Sequence, residues 1–240
     1  KMYAVWRNPA MVKKSLDAEM ENGMVKVTAV YDMPDVKAQL QMTYLINNVG
    51  EILVSQKLIA DKNEKIANMF RFGVQMQMPE KMDYSTYYGR GPIENYADRK
   101  SSAFIGLYTQ TADEQPYAYS RPQETGTKSD MRWWKQTDIA GRGLMIVAEK
   151  PFYASALHYS IESLDDGEEK DQRHFNEVQK VDYTNLCIDM MHAGISGAAS
   201  WGPDAVTLPQ YRVVYADYEF SFKLTPINNV CLLYTSDAAD

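Results

Sequence analysis

The sequence predicts an all-β protein, an antiparallel sandwich. Hydrophobicity alternates with period two through most patterned segments, placing one side chain in each pair on a buried face. Turn chemistry separates those segments, and the chain carries 17 Tyr, 7 Phe and 4 Trp, residue types that strands favour. Almost no helical pattern lies between the strands, which points to sheet packed on sheet.

The elements follow in order. Residues 12–20 and 24–32 flank Glu21-Asn22-Gly23, and Asn-Gly between two such runs is a strong hairpin signal. Met33-Pro34-Asp35 turns the chain into residues 36–47. There Val36, Ala38, Leu40, Met42, Tyr44 and Ile46 share one face, while Lys37, Gln39, Gln41 and Thr43 share the other. Asn47-Asn48-Val49-Gly50 closes that strand. Phe70, Phe72, Val74, Met76 and Met78 alternate until Pro79. Gly141-Arg142-Gly143 splits residues 131–139 from 144–149, a second hairpin. In the first of these runs, Trp133 and Trp134 point to opposite faces, so one of them belongs to the core. The single helix expected is short, around residues 161–165. Tyr218, Phe220, Phe222 and Leu224 alternate before Pro226.

At 240 residues and a net charge of −7, the chain is long enough to bury a large core without disulfides. It has no basic stripe for nucleic acid and no apolar run of membrane-spanning length. Its two cysteines, Cys187 and Cys231, define no redox compartment.

Three stretches break the alternation: residues 89–100, 112–130 and 194–210. Long loops on a rigid sandwich are where function concentrates. A glycosidase needs two carboxylates flanking the scissile bond. Glu94 and Glu124 lie in these loops, but a loop Glu more often caps a turn or binds an arginine. The first loop carries Arg90, Glu94, Asn95, Asp98 and Arg99, a balanced set that favours a structural role over ligand binding. His158, His174 and His192 are far apart, and no pattern of metal-ligand spacing occurs. Cys187 reads as a buried strand thiol. Trp201 is different. Its neighbours Gly197, Ala198, Ala199, Ser200 and Gly202 are all small. An indole there suits stacking on the C–H face of a sugar as well as it suits plugging the loop.

The loops resemble the carboxy-terminal domain of the β-galactosidases of glycoside hydrolase family 2. That family carries Gly-x-Gly-Pro-x-Glu-Asn-Tyr-x-Asp-Arg, matched here from Gly89 to Arg99. It carries Pro-x-Glu-x-Gly before a Trp-rich strand, matched by Pro122, Glu124, Gly126 and then Arg132, Trp133 and Trp134. It carries Gly-x-Gly-x-x-Ser-Trp near the end, matched from Gly194 to Trp201. Two acidic residues precede Ser-Trp in many members, where this chain has Ala198 and Ala199. The family's Arg-Ala-x-x-Asp-Asn-Asp opening is absent, which leaves an edge strand expected to be unpaired.

The resemblance implies a large antiparallel β-supersandwich, galactose mutarotase-like, over residues 1–229 and truncated at its N-terminal end. It implies no catalytic residue, metal ligand or cofactor in this chain. Both glutamates and the divalent metal belong to a separate (β/α)₈ barrel, the partner of this domain. Trp201 alone carries over, as a substrate-binding residue for terminal β-galactosides. Residues 231–240 resemble translated sequencing-adapter read-through, so 230–240 are set aside as a non-native tail. Two other functions stay open: an aldose 1-epimerase, which needs a His pair and a Glu converging on a sugar, and a stand-alone carbohydrate-binding module. Bacterial cytoplasm or periplasm, and homo-oligomer or monomer, are left open.

Overall fold

A computed structural model describes residues 2–165, 174–197 and 206–228. Eleven strands form one antiparallel sheet: β1 (Val12–Glu21), β2 (Met24–Met33), β3 (Ala38–Ile46), β4 (Ile52–Ala60), β5 (Arg71–Pro79), β6 (Tyr84–Gly91), β7 (Phe104–Thr111), β8 (Lys128–Thr137), β9 (Gly143–Leu157), β10 (Tyr183–His192) and β11 (Tyr218–Ile227). The order is β1-β2-β3-β4-β11-β9-β8-β6-β7, with β10 joining β9 to β5.

Strand β9 makes this sheet a sandwich. Its first half, from Gly143 to Ala148, pairs with β11, and its second half, from Tyr153 to Leu157, pairs with β10. The chain therefore passes from one layer to the other along a single strand. The layers close on each other through Phe72 of β5, whose ring lies 5.4 Å from that of Tyr218 of β11. Trp134, Tyr87, Met131, Ile146, Phe152, Leu186 and Ile188 are fully buried in the core between them.

The hairpins form where the sequence places them. Asn22 and Gly23 both take positive φ, 52° and 79°, the backbone of a two-residue turn whose twist matches its strands. Trp134 is the core indole; Trp133, with Lys135 over its ring at 5.3 Å, is the outer one. The helix α1 (Ile161–Leu164) is one turn, capped by Ser160, whose side chain accepts the Ser163 amide at 2.9 Å. No described helix is long and apolar enough to cross a membrane. Residues 229–240, which include the expected tail, lie outside the described residues.

Three boundaries differ from the sequence reading. Residues 34–36 form a 3₁₀ turn, so β3 starts at Ala38. Pro226 lies inside β11 rather than beyond it. Gly89 and Gly91 belong to strand β6, not to a loop. A side chain at Gly89 would sit 3.0 Å from the Met131 Cα, and one at Gly91 would sit 2.7 Å from the Tyr87 hydroxyl. Close packing inside the sheet requires those glycines.

Candidate functional site

The described parts of the three irregular stretches are joined at one end of the sandwich, where β6 and β10 finish and β5 and β8 begin. The first stretch is hydrogen-bonded to both of the others.

Glu94 is the first centre. Its carboxylate, almost wholly buried, accepts the Gly126 amide at 2.7 Å and the Thr125 hydroxyl at 2.8 Å. It also takes very short hydrogen bonds from Arg99 and from the Tyr119 hydroxyl. Gly126 has φ +79°, and a side chain there would meet Leu157 at 2.8 Å, so glycine is required to present that amide. The Arg99 guanidinium stacks on Tyr96 at 5.1 Å and Tyr119 at 5.9 Å.

Asn95, fully buried, ties the first stretch to β8. Its amide group donates to Ile93 O at 3.0 Å and Arg90 O at 3.2 Å, and its carbonyl accepts the Ser129 amide at 3.0 Å. Arg90 donates to Asp130 at 2.6 Å and to Ala103 O at 2.7 Å.

Glu124 is the second centre. Thr127 donates to it at 2.7 Å, Tyr96 at 3.3 Å and Arg71 at 3.4 Å, and His192 Nε2 lies at 3.7 Å. Burial opposes its ionisation, but Arg71 and His192 outweigh burial and hold the carboxyl at about 2. Arg71 also makes a two-pronged contact with Asp189 Oδ2, at 2.6 and 3.1 Å.

Lys128 is wholly buried beneath these centres. Its amine donates to Gly126 O at 2.8 Å and Gln115 at 3.2 Å. Burial pushes the amine down to about 7, against the pull of Glu94.

Glu94 and Glu124 are thus held by partners from the chain itself. The histidines do not converge. His158 faces Asp113 at 3.2 Å, His174 faces Ser120 O at 3.4 Å, and His192 donates Nδ1–H to Ala193 O at 2.7 Å. Cys187 is a free, buried thiol. Among the described residues, no group of three His, Cys, Asp or Glu is placed to hold a metal.

Trp201 lies in 198–205, outside the described residues. The chain on either side of that segment is described, and it is firmly tied. Gly197 and Thr207 form a β-bridge. The Ser196 amide donates to Asp98 at 2.7 Å, Thr207 Oγ1 donates to Gly194 O, and Arg212 donates to Thr207 O at 2.6 Å. The first stretch therefore braces the third.

Sequence reasoning missed Arg71, Asp189, Lys128 and Tyr119. A signal existed for one of them: Asp189 is a charged residue inside the apolar run Leu186-Cys187-Ile188-Asp189-Met190-Met191, a placement tolerated only with partners.

The family model for the β-galactosidase small chain matches residues 1–224. The β-galactosidase of Priestia megaterium is 31% identical over 229 residues, which cover 92% of this chain and 21% of that protein. The β-galactosidase of Streptococcus thermophilus is 28% identical over 230 residues, covering 94% of this chain and 22% of its own length. The chain thus spans about a fifth of these relatives. Among solved structures, the α-galactosidase AgaB of Geobacillus stearothermophilus aligns with 92% of this chain and 28% of its own, at 8% identity and a TM-score of 0.45. With nearly its whole described length matched, the chain belongs to the β-galactosidase small-chain family.

Proposed function

We propose that this chain is the carbohydrate-binding C-terminal domain of a family-2 β-galactosidase acting on terminal β-galactosides. It supplies Trp201 to the sugar site of a catalytic barrel carried elsewhere in a longer polypeptide. One observation carries the reading: the chain flanking 198–205 is tied on both sides, by the Gly197–Thr207 bridge and by the Ser196 amide on Asp98 of the first loop. A stacking indole needs such a foundation, because an aromatic platform contributes only when its position is set in advance. The relatives, each about five times the matched length, leave ample room for a separate catalytic region. The two loop glutamates are each held by four chain partners, so they serve the foundation rather than the chemistry.

The experiment has two parts. The chain alone should release no chromophore from a chromogenic β-galactoside above the buffer rate. In the longer enzyme, Trp201→Ala should raise KM by roughly ten- to hundredfold, about 1–3 kcal/mol of stacking by analogy with aromatic–base pairs. Turnover at saturation should change less, the pattern of lost uniform binding. Hydrolysis by the isolated chain, or a variant with unchanged KM and a large loss of stability, overturns the reading.

A further inference from the structure

The sandwich has a cavity of about 250 Å³ between its layers, on the other side of Arg71 from the loop network. Leu58 and Gln56 of β4 form one wall, Arg71 and Gln75 of β5 with Asp189 of β10 form the other, and Trp6 stands in the lining. The volume corresponds to about eight waters, the scale of a single sugar ring and below the range of drug-sized sites.

The lining is mostly apolar, but its polar groups retain hydrogen-bonding capacity. Arg71 uses three of its five N–H groups on Asp189 and Glu124. Gln75 spends its amide N–H on Asn185 at 2.8 Å, leaving its carbonyl oxygen. Arg71 and Gln75, each with hydrogen-bonding capacity left, thus line one space with an indole. Trp6 is fixed in place: its Nε1 donates to Ala67 O at 2.7 Å, and its ring packs 6.1 Å from Tyr215. A pinned aromatic ring loses little freedom on binding a ligand.

Charge selects the ligand class. The one guanidinium here already meets two carboxylates, Asp189 and Glu124. Phosphates and carboxylates are therefore repelled. A neutral molecule with hydroxyl groups and a C–H face fits both the polar and the apolar parts of the lining.

We propose that this cleft binds one neutral, monosaccharide-sized polyol, at a site distinct from the Trp201 loop. The site does not rest on the proposed galactosidase role: its described lining comes from β2, β3, β4, β5 and β10 with Trp6, Met69 and Ile161.

The test is saturation-transfer NMR on the 240-residue chain with galactose, glucose and myo-inositol, and with acetate and inorganic phosphate as charged probes. Transfer to at least one neutral ligand and to neither anion is expected, with Kd on the order of 1 mM. Gln75→Ala, at the exposed mouth, should weaken binding about fivefold or more. Trp6→Ala should abolish transfer, and Trp201→Ala should leave it unchanged. Circular dichroism of each variant confirms its fold, and Gln75→Ala keeps the test valid if Trp6→Ala does not fold. Absence of transfer, equal transfer to the anions, or binding indifferent to Gln75→Ala overturns the site. Binding lost in Trp201→Ala but kept in Trp6→Ala also overturns it, and at the same time supports the galactosidase reading.

Discussion

Asp98 and Ser196 are joined by one hydrogen bond, from the Ser196 amide to Oδ2 at 2.7 Å, across 98 positions of sequence. Gly194 makes the bond feasible. A side chain there would sit 2.6 Å from the Asp98 carboxyl carbon. Gly194→Ala should push Asp98 aside and cost roughly 1–3 kcal/mol, the range for overpacking. Amide exchange at Ser196 should speed up in this variant and in Asp98→Ala alike. Unchanged exchange in both would show that the bond does not restrain the chain.

Glu94→Ala should be among the most damaging single changes. It leaves the buried Gly126 amide unpaired, takes one partner from the Thr125 hydroxyl and removes the carboxylate facing a partly exposed Arg99. The expected loss is about 3 kcal/mol, at the low end for a broken buried pair because Arg99 reaches solvent. For a domain of this length that lowers Tm by roughly 6–12 °C. A variant as stable as the parent chain would mean that the network holds nothing together.

Glu124 sets an acid limit on stability. Its folded pKa of about 2 lies below that of a free glutamate, so the unfolded chain binds the proton more readily. The stabilisation is complete above about pH 4.5 and fades as pH falls toward 2. Glu124→Gln should remove up to roughly 3 kcal/mol of this acid-dependent stability. Urea midpoints at pH 6, 4 and 3 check it; parallel curves for both proteins would refute the assignment.

Lys128 works in the opposite pH range. Its folded pKa of about 7 lies below its unfolded value, so the fold prefers the neutral amine. Between about pH 10 and 7 the unfolded chain holds a proton that the folded chain does not, and stability falls as pH falls. Below 7 the full cost is present, at most roughly 5 kcal/mol. Lys128→Met should flatten this limb, so its stability relative to the parent chain improves from pH 10 to pH 7. A pH-independent difference would show that the amine is charged in the fold.

Much of the fold is legible because a half-buried strand shows its period. The hairpin around Asn22 and Gly23 and strand β3 come directly from that pattern. Strand β10 does not, because Thr184 to Asp189 are all buried on both faces and the alternation vanishes. Strand β4 is obscured by Gln56, a polar residue at an inward position. Its carboxamide, oriented to satisfy both partners, pairs with the Gly73 amide and carbonyl at 3.3 and 3.1 Å. Glycine misleads in β6, where it signals tight packing rather than a turn. The first loop's structural character is readable from its balanced charges. The Arg71–Asp189 pair beside Glu124 is not, since pairing across 118 positions depends on the sheet order.

Strand β11 follows the other ten described strands in sequence but lies in the middle of the sheet, between β4 and β9. During synthesis, β4 and β9 therefore emerge with facing edges and no strand to join them. At ribosomal rates the interval from β4 to β11 is roughly ten to thirty seconds. Throughout it, two long edges with alternating apolar side chains are exposed to any neighbouring nascent chain. Yield in a cell should therefore depend on chaperone supply and on the pace of translation more than on the equilibrium stability of the finished sandwich.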